Sequence, residues 1–119
     1  MTITATGGVA SATVTSGAEV DLLSSGSGSD QGIAIPRAYS WTLTVQTDEE
    51  IVVRVYLGVG PNVGLAYVSG LTTTVTLSAQ YLVIQQSEYP AGRIRVTAQA
   101  TGTTASVNAD FVAQSSTVN

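Results

Sequence analysis

The chain contains no cysteine, no histidine and no lysine. Without cysteine, neither a disulfide nor a thiolate metal site can staple the fold, and the redox compartment stays open. Without histidine or lysine, the usual general base near neutral pH and the amine of a Schiff base are both missing. Acid–base chemistry would fall to carboxylates alone. Charge of either sign is scarce: 10% of residues are charged, against about 25% in a typical soluble domain. Four arginines set against eight acids leave a net charge of −4 and a pI near 4.3. A duplex-binding surface needs clustered cations to displace counterions from phosphates, so nucleic acid is excluded as a partner, and an anionic membrane surface with it. Long apolar runs are missing as well; none approaches the roughly 18 residues of a membrane span. The opening MTITATGGVASATVT carries neither the basic n-region nor the apolar h-region of a Sec signal. A chain of this kind would reach the outside of a cell by lysis or by assembly into a particle.

What is present is alternation. In AYSWTLTVQ, Trp41, Leu43 and Val45 fall on one face, with Ser40, Thr42, Thr44 and Gln46 on the other. In IVVRVYLG, Ile51, Val53, Val55 and Leu57 face one way and Val52, Arg54 and Tyr56 the other. A period of two is the signature of a strand with one dry and one wet side. The polar stretch Thr47-Asp48-Glu49-Glu50 between them predicts a hairpin or a tight corner. Further strands are expected over Glu19–Leu23, with Val20 and Leu22 inward, and over Leu71–Leu77, Arg93–Ala100 and Ala105–Ala113. Tyr81–Gln85 is apolar on both faces, which predicts a central or doubly covered strand. Turn residues punctuate these segments at Gly7-Gly8, Ser16-Gly17, Gly58–Gly64, Ser69-Gly70, Pro90-Ala91-Gly92 and Thr101-Gly102.

The fold expected is all-β: a single-domain, jelly-roll-like antiparallel β-sandwich or barrel of about eight strands. The 119 residues suit one domain, which at this size buries roughly two-thirds of its unfolded surface. Residues 1–17 form an N-terminal arm or edge strands, 18–113 the sandwich, and 114–119 a polar C-terminal tail. Ser24–Asp30, SSGSGSD, has no apolar side chain and reads as a loop or short linker.

Little in the chain points to catalysis. Asp48, Glu49 and Glu50 sit at a turn, and a turn tip offers no walls to face two carboxylates across a substrate. Serines are plentiful, yet none has a partner base. An enzyme is not expected, and no catalytic residue or cofactor is assigned. Asp48–Glu50, or Glu19 with Asp21 on one strand face, could offer oxygens to Ca²⁺. A calcium site needs about six to eight oxygens, so solvated carboxylates are the simpler reading and no metal is expected. Among seven aromatics, Trp41 is in phase with the core, while Tyr56 and Tyr89 are placed to meet a partner or a sugar ring. The outward residues Thr42, Thr44, Thr72, Thr74, Thr76, Thr97 and Gln99 make an almost uncharged exterior. Soluble monomers guard strand edges with lysine and other charges; this exterior suits a protein covered by copies or partners.

The Thr/Ala/Gly-rich start TITATGGVASATVT and the strands RAYSWTLTVQ, IVVRVYLG and RIRVTAQ resemble the small virion proteins of tailed bacteriophages that decorate or cement a capsid. The likeness is one of composition and strand order over most of the chain. It implies a sandwich on the capsid surface of the virion, often a homotrimer, clamping neighbouring copies of the major capsid protein. Under that reading Thr2, Ile3, Thr4, Ala5 and Thr6 dock on the capsid or on another copy, and Arg54, Arg93 and Arg95 pair with acids of a partner. The competing reading is a carbohydrate- or receptor-binding module at a fibre tip, using Tyr56, Tyr89 and the Gly58–Gly64 loop.

Overall fold

In the computed structural model of the chain, the alternating segments become two antiparallel sheets packed face to face. The structure describes residues 2–23, 33–38, 40–58, 65–67, 72–75, 81–86 and 91–115, with backbone alone at 2–5, 34–38, 81–86, 91–92 and 115. In chain order the strands are β1 (Thr2–Val14), β2 (Val20–Asp21), β3 (Ile33–Ala38), β4 (Ser40–Thr47), β5 (Ile51–Gly58), β6 (Ala66–Tyr67), β7 (Thr73–Val75), β8 (Tyr81–Gln86), β9 (Ala91–Ala100) and β10 (Ala105–Ser115). The first sheet runs β1-β10-β4-β8. The second has β9 and β5 at its centre: β2 and β3 share the outer edge of β9, and β7 and β6 share that of β5. Each sheet is therefore four lanes wide, and two of the ten strands are only two residues long.

The inward phase read from the sequence holds along the central strands. Trp41, Leu43, Val45, Ile51, Val53, Val55, Ile94, Val96, Val107 and Phe111 are all buried in one core. Much of the rest of that core is alanine, at positions 98, 100, 105, 109 and 113, which lets the sheets approach closely. Trp41 packs on Phe111 with ring centroids 5.9 Å apart. Each fully buried Val, Leu or Phe contributes about 1.5–3 kcal/mol of transfer free energy.

Thr47–Glu50 is a corner, not a hairpin, because β4 and β5 belong to different sheets. Thr47 continues the inward phase of β4 and is buried; its Oγ1 donates to Glu49 O at 2.6 Å and accepts from Glu49 N at 3.3 Å. Asp48 Oδ1 accepts Ser106 N at 2.7 Å, and Glu50 Oε1 accepts Thr101 Oγ1 at 2.7 Å. The acidic residues thus lace this crossing to the neighbouring one between β9 and β10. A third crossing, from β1 to β2, lies beside them, with Ala100 N donating to Thr15 O at 3.0 Å.

Three expectations change. Tyr81–Gln86 lies at the margin of its sheet, paired to β4 alone among the described strands. Of the two readings, a central or a doubly covered strand, the central one is not met among the described strands, because period and hydropathy report which faces are dry and not which strand stands next. Thr97 faces outward yet is fully buried: residues 15–21 pair along the edge of β9, and the Glu19 side chain reaches over to accept its hydroxyl. Val20 is half-buried at the rim of the core, and Leu22 and Leu23 are both buried. The SSGSGSD segment, Thr76, the Gly58–Gly64 loop beyond Gly58, Tyr89 and the tail beyond Ser115 lie outside the described residues.

Residues Thr2–Val14 form the edge strand of the first sheet, paired along β10 from Thr2↔Ser115 to Val14↔Ala105. Gly7 and Gly8 are required there. A Cβ at Gly7 would stand 2.5 Å from Leu23 O, and one at Gly8 2.2 Å from Ala109 O, where φ is +149°. The approach lets Gly8 N donate to Leu23 O at 3.1 Å, tying the edge of the first sheet to the chain entering the second.

Candidate functional site

The densest polar grouping among the described residues stands on the outer face of the second sheet. Register builds it. Arg54 lies opposite Thr97, Tyr56 opposite Arg95 and Gly58 opposite Arg93 on β5 and β9. On the flanking lanes Asp21 pairs with Thr97 and Tyr67 with Tyr56. Alternate residues of neighbouring strands project from one face, so these side chains meet although they come from four separate parts of the chain.

Glu19 is the hub. Its Oε1 accepts from Tyr56 Oη and from Thr97 Oγ1, both at 2.6 Å, and Arg54 Nη1 stands 3.7 Å away. Arg54 also donates to Gln99 Oε1 at 2.9 Å, and Gln99 Nε2 donates to Ser16 O at 2.8 Å. Arg95 Nε donates to Asp21 Oδ1 at 2.6 Å, and its guanidinium carbon lies 5.4 Å from the centroid of the Tyr56 ring. The Tyr56 and Tyr67 rings pack at 5.5 Å with a 48° tilt, and the Tyr67 hydroxyl is hydrogen-bonded to Thr72 Oγ1. Tyr67 is 47% exposed, the large hydrophobic side chain most open to solvent among the described residues.

Electrostatics follow from these contacts. Partial burial pushes the Glu19 carboxyl up, but the hydroxyls of Thr97 and Tyr56 and the two guanidinium groups outweigh it, and the net shift is downward. Tyr56 moves the opposite way, raised by partial burial and by the carboxylate it donates to. The carboxylate form of Glu19 and the neutral form of Tyr56 are therefore the ones that hold the platform together.

Of the residues singled out in the sequence, Arg54, Tyr56, Arg93 and Arg95 are brought onto this one face. Arg54 and Arg95 pair with Glu19 and Asp21 of their own chain. Arg93 lies over Gly58, where a Cβ would come within 3.3 Å of its Nη2. Thr2–Thr6 lie far from it in the topology, on the edge strand of the other sheet. Tyr89 lies outside the described residues. Sequence reading missed Tyr67, and it considered Glu19 and Asp21 as metal ligands where the structure makes them arginine and hydroxyl acceptors. The signal was present: Glu-x-Asp and Arg-x-Arg each place two like charges on one strand face. Among the described residues no group of three acids converges on a point.

The outer face of the first sheet is different in kind. Thr42, Thr44 and Gln46 of β4 lie beside Val112, Asp110 and Asn108 of β10, so six neighbouring positions carry one charge. β1 beside them has no charged residue in its length. Ser11, with φ of 51°, sits at a bulge of β1 and donates its N–H to Asn108 Oδ1 at 2.8 Å. One molecule thus has a neutral, threonine-lined face and a face built on arginine, tyrosine and carboxylate. Comparison with protein-family models, curated proteins and solved structures finds no match to this chain.

Proposed function

We infer that the chain is a non-enzymatic structural protein of a virus particle, a decoration protein that cements neighbouring copies of the major capsid protein on the head of a tailed phage. The observation that carries this reading is the neutral outer face of the first sheet. An isolated sheet surface facing water is normally studded with charge. Here Thr42, Thr44, Gln46, Asn108 and the uncharged β1 offer hydrogen bonds and β-branched area with almost no charge to desolvate. Such a face suits permanent cover by another protein. Thr2, Ile3, Thr4, Ala5 and Thr6, at the far end of the edge strand, extend the same contact toward the capsid. The polar groups of the opposite face are engaged with one another, which suits a rigid contact surface better than a reaction.

A cement protein acts by mass action: binding the assembled shell and not its parts, it shifts the equilibrium toward the shell. Several copies linked in a trimer gain avidity without any new contact. The test adds charge to the neutral face. Thr44→Arg should leave the thermal melt within a few degrees of the parent while abolishing co-sedimentation with capsids that lack the protein. Binding of the variant equal to the parent would remove the first sheet from the contact.

A second reading, a carbohydrate- or receptor-binding module, is favoured by the exposed Tyr67 against Tyr56. The 48° tilt between the rings gives a sugar no single flat surface to stack on, which ranks it below the first. A glycan array separates the two.

A further inference from the structure

We propose that Asp110 and the notch beside Gly7 and Gly8 are the seat for one cationic side chain, lysine or arginine, of the protein that covers the first sheet. This deepens the reading of a covered structural protein and rests on it. Three observations carry the assignment.

The first is the isolation of the charge. On the outer face of the first sheet Asp110 lies between Thr44 of β4 and Gly8 of β1. Its neighbours on that face along β10 are Asn108 and Val112, and the diagonal positions on β4 are Thr42 and Gln46. Asp110 is exposed, and among the described residues its carboxylate is neither hydrogen-bonded nor ion-paired. The carboxylates of Glu19, Asp21, Asp48 and Glu50, by contrast, each bond within the chain.

The second is what cover does to such a charge. A partner that lies over Thr42, Thr44, Gln46 and Asn108 also lies over Asp110. A carboxylate withdrawn from water without a counter-charge is costly, whereas a paired one fixes the register of a contact. Complementarity therefore calls for a cation at this one point of an otherwise neutral interface.

The third is shape. A cleft of about 750 Å³, open to solvent, lies here, lined by residues 6–10 with Leu23, Ala109 and Asp110. That volume is in the range of clefts that take a small molecule. Gly8, in register with Asp110, puts no side chain beside the carboxylate, and its close approach to Ala109 O forbids one. Val9, Leu23 and Ala109 give apolar lining suited to the methylenes of a long cationic side chain. This chain has no lysine, and Arg54, Arg93 and Arg95, on the second sheet, make contacts within their own chain. A different protein is the better source of the cation.

The test has two arms. In the first, N-acetyl-arginine amide, with N-acetyl-glutamine amide as neutral control, is titrated into the isotope-labelled protein and read by amide NMR shifts. The arginine probe should shift Gly7, Gly8 and Asp110 saturably in the millimolar range, and the control should not. Asp110→Asn should weaken the effect at least about tenfold, and Asp110→Glu should keep it. No shift at these residues, or an equal shift in Asp110→Asn, would overturn the seat. In the second arm, Asp110→Asn and Asp110→Arg should co-sediment with capsids lacking the protein at least about tenfold more weakly than the parent. Variants that bind as the parent does overturn the seat's part in cover. A parent that binds no capsid removes the capsid reading, and the first arm then decides the seat alone. Self-association of the parent that Asp110→Asn abolishes would move the cation to a second copy and overturn the assignment. Circular dichroism melts confirm that each variant is folded.

Discussion

At the scale of single residues, Glu19 is where side-chain chemistry and the fold meet. Its carboxylate gathers Tyr56, Thr97 and Arg54, and folding depresses its pKa below the ordinary 4.5. The stabilisation this brings is full above the unfolded value and is lost as pH falls through the folded one. Melting temperature should therefore drop on acidification below about pH 4.5, and Glu19→Gln should flatten the part of that drop that belongs to this carboxyl. Near pH 7 the same substitution should cost no more than about 1 kcal/mol, because the pair is partly solvated. Tyr56, whose pKa is raised above 10.0, works in the other direction: its contribution is complete below pH 10 and fades as the phenol ionises. Glycine gives a sharper contrast. Gly8→Ala meets Ala109 O with nowhere to move and should cost at least about 2 kcal/mol, whereas Gly102→Ala, with nothing within 4 Å, should stay within about 0.5 kcal/mol in denaturant titrations. Trp41 is buried with no acceptor for Nε1 among the described residues. Keeping the ring's bulk should therefore matter more than keeping its N–H. Trp41→Ala should cost about 3–5 kcal/mol, and Trp41→Phe clearly less.

At the scale of elements, the inward and outward residues of each strand set what a substitution does. Leu43→Ala opens a fully buried site in β4 and should cost about 2–5 kcal/mol, while Thr44→Ala one residue on should change stability by about 0.5 kcal/mol or less. That distinction was legible in the sequence, because a period of two assigns every side chain to a face without any knowledge of neighbours. The all-β class and most strands were legible for the same reason. Which strand lies beside which was not. Thr47–Glu50 was read as hairpin or corner, and only the bonds of Asp48 to Ser106 and Glu50 to Thr101, both more than fifty residues away in sequence, decide for the corner. Tyr81–Gln85 looked central or doubly covered because apolar residues occupy both faces, but lane order depends on connections that hydropathy does not encode. Thr97 was read as exposed because its phase is outward. Its burial comes with the pairing of residues 15–21 along the edge of β9 and the reach of Glu19 to its hydroxyl, a contact made across more than seventy positions. The platform was half legible: Arg54, Tyr56, Arg93 and Arg95 were singled out by their outward phase, and their mutual placement needed the register of β5 against β9. Tyr67 comes from a two-residue strand too short to show any period.

At the scale of the whole molecule, the two sheets divide the work. One exterior carries a single charge, Asp110, among its described β4 and β10 positions, and the other carries the tyrosine–arginine platform. Under the proposed decoration role the effect of the protein would be measured in area and copy number. If the proposed role is carried out by a trimer, the mass in solution should be three times 12.1 kDa. Light scattering on the parent decides that before any partner is added. The pairing of β1 with β10, Thr2 against Ser115, carries a last consequence. This ladder joins the first and last of the described strands, a pairing of very large sequence separation. Contacts that far apart are slow to form, and refolding from denaturant should take milliseconds to seconds. The same pairing brings the two ends of the described chain to one point on the surface. Thr2 and Ser115 therefore share one end of the sandwich, opposite the acidic corner, and probes placed at these two positions should report on the same neighbourhood.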